Sequence, residues 1–324
     1  MSRLFRDVEG GVLFPQGSVV CIGAFDGLHL GHRALVRHAV SRARELGVPA
    51  VALSFEPLPR EYFADVFKTP LPPRLTLARA KEAGLRELGV DSVGLLRFDA
   101  RLSAMPAEAF VHKLLVERLQ AREVWIGPEF RFGHKRGGDL ALLRSLGGES
   151  PVGSGGFTAN EIAPVHCPDG ERVSSTRIRE ALLAGDFPAA ARLLGRPYAI
   201  GGRVVRGKQL GRTLGFPTAN LRFPKVPALS GIYATRVHGV FAQPWPSVSS
   251  FGTRPTVDGV EPLLEAHLFD YSGDLYGRHI EVEFVAKLRD ELRFPDLQSL
   301  TEQMRRDAAD ARRVLSEEKL RATA

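Results

Sequence analysis

Two histidines three residues apart, His29 and His32, stand in the run Val19-Val20-Cys21-Ile22-Gly23-Ala24-Phe25-Asp26-Gly27-Leu28-His29-Leu30-Gly31-His32-Arg33-Ala34-Leu35. The apolar opening predicts a buried strand and Phe25-Asp26-Gly27 a turn. A helix should begin near Gly31, with Leu35 and Val36 as its first apolar positions. Gly23, Gly27 and Gly31 let backbone approach a ligand where a Cβ would clash. At i, i+3 the two imidazoles can face the same way. A helix N-terminus beside them offers free N–H groups and partial positive charge, which suit a phosphate. That chemistry is binding of a nucleoside triphosphate with transfer at its α-phosphate. Metal ligation fits poorly, because no nearby Cys or His completes a tetrahedral set and the Glu of an H-E-x-x-H helix is missing. An isolated histidine pair would by default have no role. The glycine frame and the strand–turn–helix context argue against that default.

Three further stretches could carry chemistry. Gly127-Pro128-Glu129-Phe130-Arg131-Phe132-Gly133-His134-Lys135-Arg136-Gly137-Gly138-Asp139 interleaves aromatic and basic residues. It suits stacking on a planar ring beside phosphate, or it is an ordinary basic surface loop. Val173-Ser174-Ser175-Thr176-Arg177-Ile178-Arg179 places hydroxyls and two arginines before a helical run. It reads as a plain N-cap or as a triphosphate clamp. Gly202-Arg203-Val204-Val205-Arg206-Gly207-Lys208 fits a P-loop until Gln209 replaces the Mg²⁺-binding Ser or Thr, and Gly211, Gly215 and Pro217 interrupt any following helix. The P-loop is rejected. In the longer run to Leu221, Thr218 and Asn220 lie two apart on a strand-like segment and can present neutral oxygens to a hard cation.

The elements that must hold these residues alternate in the first half. Strands are expected at 48–55, 91–98 and 123–127, and helices at 34–46, 75–88 and 106–119. That order predicts a doubly wound parallel sheet with helices on both faces and ligands beyond the carboxyl ends of its strands. From Tyr198 the texture becomes short alternating runs broken by Gly and Pro, as for a small antiparallel β-barrel. Alternation sets Glu265 and His267 on one face, opposite Leu264, Ala266 and Leu268, and residues 300–315 close as an amphipathic helix.

At 324 residues the chain suits two domains. No stretch approaches the ~20 apolar residues of a membrane span. Residues 1–15 are interrupted by Arg3, Arg6, Asp7 and Glu9 and lack the apolar core of a signal peptide. Cys21 and Cys167 are the only cysteines, so no disulfide framework is implied and a cytoplasmic location is expected. The formal charge of +7 favours polyanionic partners, and the basic residues are spread along the chain without forming a nucleic-acid stripe.

The Gly23-x-Phe25-Asp26-x-x-His29-x-Gly31-His32 pattern resembles the HxGH signature of the nucleotidylyltransferases, and its lead-in looks most like bacterial FAD synthetase. Ser174-Ser175-Thr176-Arg177-Ile178-Arg179 resembles that superfamily's second signature. The run from Gly202 to Leu221, then Phe251-Gly252-Thr253-Arg254-Pro255-Thr256 and Glu265-Ala266-His267, resembles riboflavin kinase. The resemblance covers about residues 19–310. It implies a bifunctional enzyme that phosphorylates riboflavin with ATP to FMN and then adenylylates FMN to FAD and pyrophosphate, using Mg²⁺. By resemblance, a nucleotidylyltransferase-like domain spans 1–185, a linker helix and hinge 186–197, and the kinase barrel 198–324. In the first, His29 and His32 would be catalytic and Gly23, Phe25, Asp26, Gly31, Ser175, Thr176, Arg177 and Arg179 would bind ATP phosphates, with Glu129, Phe130, Arg131 and Phe132 as a flavin or ATP loop. In the second, Gly207, Lys208, Gly211, Arg212, Gly215, Phe216, Pro217, Thr218 and Asn220 would bind ATP and flavin. Thr218 and Asn220 would hold Mg²⁺, and Glu265 would be the base. Glu129 stands where that family usually has Asp or Asn, and Ser250 where Asn is common. Rival readings are a kinase with an idle first domain, a transferase for another phosphate acceptor such as phosphopantetheine, and a nucleic-acid-binding protein. The resemblance implies riboflavin, FMN and ATP as small-molecule substrates, with no nucleic acid and no membrane expected.

Overall fold

The computed structural model describes residues 3–148, 156–207, 210–256 and 259–323. The chain divides into two compact units, Met1–Pro72 with Ala78–Ser175, and Pro73–Leu77 with Thr176–Ala324.

The first unit is a six-stranded sheet built from β1 (Arg3–Phe5), β2 (Ser18–Ile22), β3 (Ala50–Glu56), β4 (Ser92–Arg97), β5 (Ala121–Ile126) and β6 (Thr158–Glu161). Its order is β1-β4-β3-β2-β5-β6, with every pairing parallel. Helices α1 (Leu30–Leu46), α2 (Pro59–Val66), α3 (Ala78–Glu87), α4 (Ala100–Ser103), α5 (Ala107–Phe110) and α6 (Leu140–Gly148) connect them. The all-apolar texture of β2 follows from burial on both faces. Val20 and Ile22 join one core with Val51, Leu53 and Phe55, while Val19 and Cys21 join another with Ala50, Ala52 and Leu35. Strand order reverses between β2 and β5, so the carboxyl end of β2 opens onto the switch-point crevice where such sheets bind ligands. The His29–His32 run leaves the sheet there.

Three expectations change. The helix expected at 75–88 begins at Ala78, because residues 73–77 pack with the second unit, where the Leu75 carbonyl accepts the Tyr198 hydroxyl at 3.2 Å. The helix expected at 106–119 is α-helical to Phe110 and π-helical from Val111 to Arg118. Its apolar spacing is that of an ordinary helix, so nothing in the sequence announces the wider turn. Strands β1 and β6 carry no alternation and escaped the pattern altogether.

The second unit holds α7 (Ser175–Ala184) from its second residue on, then α8 (Phe187–Leu194), β7 (Ala199–Val205), α9 (Leu210–Thr213), β8 (Ala219–Arg222), β9 (Gly231–His238), β10 (Trp245–Thr256), β11 (Gly259–Leu268), β12 (His279–Arg289) and α10 (Leu297–Thr323). The strands close an antiparallel barrel in the order β10-β11-β8-β7-β12-β9. The helix expected within 186–197 is α8. Its Phe187 stacks on Phe284 at 6.1 Å and meets the edge of Tyr233 at 5.8 Å, so α8 belongs to the barrel's aromatic core. Helix α10 lays Ala311 and Leu315 on the barrel against Ala234, Val248 and Phe269.

Candidate active sites

In the first unit the chain turns sharply after β2, with positive φ at Phe25, Gly27 and Leu28. Phe25 is fully buried, and a Cβ on Gly23 would meet its ring at 2.9 Å. Asp26 is buried, and its carbonyl accepts the Ser175 hydroxyl at 2.8 Å, so the tertiary fold joins the two signatures across the sheet. His29 is the N-cap of α1. Its extended backbone lets the ring turn back, and its Nδ1 accepts the His32 backbone N–H at 3.2 Å. That bond fixes the tautomer of the capping imidazole, leaving the proton on Nε2. The rings of His29 and His32 stack at 3.6 Å and 15°, and His32 also meets the edge of Phe25. Gly31 makes room, since a Cβ there would stand 3.2 Å from the His29 ring.

His32 is held neutral. Burial lowers its proton affinity first, and the charges of His29 and Lys81 lower it further. Its Nδ1 is buried with no hydrogen-bond partner, a vacancy expected of a group that meets a ligand. His32 is therefore a neutral hydrogen-bonding group beside the start of α1. A stability consequence follows, with a definite sign. Above pH 6.5 His32 is neutral folded and unfolded alike, whereas below it the unfolded chain takes up a proton that the folded chain refuses, so stability falls with pH. His267 in the second unit is shifted the same way, by burial first, and adds to the slope. We expect His32→Gln to flatten the acid limb of melting temperature between pH ~7.5 and ~5. A limb of undiminished slope in the variant would contradict the neutral assignment.

Helix α7, which Ser175 opens, carries Thr176, Arg177 and Arg179. There Arg177 pairs with Glu180 at 3.2 Å, and the buried Arg179 donates its Nε–H to the Pro73 carbonyl at 2.6 Å. In the loop after β5, Glu129 is exposed and pairs with Arg172 at 3.1 Å, while Arg131 reaches Asp139 at 3.0 Å. Phe132 is buried against Phe110 and Phe130, so its ring belongs to the core and presents no stacking face to solvent. Sequence reasoning passed over Lys81, which is completely buried on α3.

In the second unit β8 and β11 pair antiparallel, with Asn220 opposite Glu265 and Ala219 opposite Ala266. Leu264, Ala266 and Leu268 are buried, and Glu265 and His267 turn to the other face, as alternation predicts. There they line a cavity of about 250 Å³ together with Thr218, Phe216, Arg289 and Asp307. Arg289 grips Asp307 with two hydrogen bonds of 2.8 and 2.6 Å, tying β12 to α10 at the cavity wall. The His267 Nδ1–H donates to the Pro217 carbonyl at 2.9 Å and pins the segment that carries Thr218. Asn220 is buried and its Nδ2 donates to the Thr218 carbonyl at 3.1 Å, yet its Oδ1 has no hydrogen-bond partner. A Cβ on Gly207 would come within 2.7 Å of that oxygen. Gly211 accepts the Phe216 N–H at 2.7 Å, and Gly215 completes the turn at φ +84°. Lys208 lies outside the described residues, as does the side chain of Arg212.

A parallel sheet with a His-capped helix at its switch point, followed by a closed antiparallel barrel, is the architecture of a nucleotidylyltransferase-like unit joined to a barrel unit. The sequence profile of FAD synthetase matches residues 13–177, and that of riboflavin kinase matches 194–315. The bifunctional riboflavin kinase/FMN adenylyltransferase of Escherichia coli K12 is 43% identical over 312 residues, 96% of this chain and 97% of the relative. That of Haemophilus influenzae is 40% identical over 96% of this chain and 98% of its own. A crystal structure from Streptococcus pneumoniae described as a macrolide-efflux protein superposes with a TM-score of 0.73 at 28% identity, covering 94% of this chain and 97% of that one. The chain belongs to the family of bifunctional riboflavin kinases/FMN adenylyltransferases.

Proposed function

We infer that the two reactions of this family run on the two units separately, with the residues above dividing the work. In the barrel the riboflavin 5′-hydroxyl attacks the γ-phosphorus of ATP, giving FMN and ADP. The Glu265 carboxylate takes the hydroxyl proton as the bond forms. Thr218 and Asn220 would hold Mg²⁺, which when bound neutralises charge on the ATP phosphates. The unpartnered, buried Oδ1 of Asn220 fits that role, and the bare Cα of Gly207 leaves room beside it. In the parallel-sheet unit an FMN phosphate oxygen attacks the α-phosphorus of a second ATP, giving FAD and pyrophosphate. The proton on His29 Nε2 and the N–H groups at the start of α1 meet the charge that builds on the phosphate oxygens. The work is positioning and charge stabilisation, and no covalent protein intermediate is needed.

The observation that supports this reading is the register of β8 and β11, which pairs Glu265 with Asn220, the residue whose buried amide oxygen has no hydrogen-bond partner. A cytoplasmic location accords with two cysteines that are both buried and not disulfide-bonded. Among the described residues no helix is long and apolar enough to cross a membrane. The test is chromatography of the flavins formed over time from riboflavin, ATP and Mg²⁺, repeated with a chelator. FMN should rise and then give way to FAD, and the chelator should stop both steps. FMN accumulating without FAD would overturn the transferase assignment, and chelator-resistant turnover would overturn the metal assignment.

A further inference from the structure

We propose that Lys81 is a positioning residue for FMN adenylylation: from within α3, acting through Ser54, it holds the loop that delivers His29 and His32. This rests on the reading that the two histidines serve the transferase.

Lys81 is 0% exposed, an unusual setting for an ammonium. Its Nζ donates to the Ser54 Oγ at 3.1 Å and to the Phe55 carbonyl at 3.2 Å, at the carboxyl end of β3. The Ser54 hydroxyl in turn donates a hydrogen bond to the Ala24 carbonyl at 2.9 Å. Ala24 lies inside the turn that leaves β2, immediately before the strained Phe25. The relay therefore runs from α3, across β3, to the backbone that sets the direction of the histidines.

A second contact from the same helix points the same way. Gly84 lies one turn beyond Lys81, and a Cβ there would meet Leu28 Cδ1 at 2.6 Å. Leu28 has φ +46° and is the residue before His29. Helix α3 thus braces the turn at both ends, by the Lys81 relay at Ala24 and by close packing at Leu28. Non-glycine residues at positive φ persist only where the surroundings over-determine them, and here α3 supplies that constraint. The ammonium also acts on His32 directly, as one of the charges that keep it neutral.

The test compares Lys81→Met, Ser54→Ala and the double variant in the full chain, assaying both reactions on the same preparations. Lys81→Met should lower kcat for FMN adenylylation on the order of 10²-fold, as a displaced catalytic group does. Riboflavin phosphorylation should be unchanged when both reactions are assayed well below the variant's melting temperature, even though loss of a buried hydrogen-bond donor lowers that temperature. Ser54→Ala should act in the same direction more weakly, and the double variant should be no worse than Lys81→Met, because both break one relay. Multiplicative losses would overturn the relay. A fall in both activities with the melting temperature would make Lys81 merely structural and overturn the proposal. If Lys81→Met does not fold, an unchanged adenylylation rate in Ser54→Ala overturns it alone. An unaffected Lys81→Met beside an inactive His29→Ala would refute this proposal and leave the histidine reading standing, whereas an active His29→Ala would refute that reading itself.

Discussion

Replacing His29 by alanine is expected to lower FMN adenylylation by roughly 10²–10³-fold, the usual cost of removing one preorganised donor from a developing oxyanion. Riboflavin phosphorylation by the same preparation should persist, so FMN would accumulate. The substitution removes two things at once. The ring caps α1 through Nδ1, which leaves its proton on the other ring nitrogen, Nε2. Loss of the cap alone costs about 1 kcal/mol of helix stability. His29→Asn separates the two roles, because asparagine is a strong N-cap but has no group in the place of Nε2. We expect His29→Asn to melt close to the wild type and still to be deficient in adenylylation. Recovery of activity along with stability would show that capping is the whole contribution of His29, and the phosphate role would fall.

The second large effect is expected at Glu265. Glu265→Gln keeps the shape of the side chain on β11 and removes its capacity to accept a proton. Phosphorylation should fall by 10²-fold or more, on the scale of general-base catalysis. The loss should appear mainly in kcat with little change in KM for riboflavin, because the proton moves only as the transition state forms. FMN supplied directly should still be converted to FAD at the wild-type rate. A variant that loses riboflavin affinity while kcat holds would make Glu265 a binding residue of the cavity. Equal loss of both reactions in folded protein would overturn the division of labour between the units.

The pair of predictions separates cleanly because each signature is local. In the His29–His32 run, i, i+3 spacing at a helix start places both rings on one side whatever surrounds them. In β11, period-two alternation brings Glu265 and His267 to one face. Such geometry is set within a few residues, and the structure keeps it: the rings stack, and the carboxylate and imidazole line the same cavity. The order of strands and helices in the first half, and the change to a barrel after Tyr198, were legible for the same reason. Each rests on apolar periodicity over short windows.

Contacts between distant segments were not legible. The Ser175 hydroxyl reaches the Asp26 carbonyl only because the sheet order brings the start of α7 to the end of β2. Phe132 looked available for stacking, but the packing around α5 takes its ring into the core. Arg179 sits in a phosphate-clamp sequence, and its Nε–H is bonded to Pro73, more than a hundred residues away. Lys81 is the plainest case. In the sequence it is one lysine in a charged amphipathic helix, whose default is solvent. The fold buries it on Ser54 and Phe55. By itself the sequence determined which chemical groups stand together along the chain, because helix and strand geometry repeat over three or four residues. Tertiary structure alone decided which of those groups are buried, charged neighbours or free to meet substrate, because burial and long-range hydrogen bonds depend on segments that no local period relates.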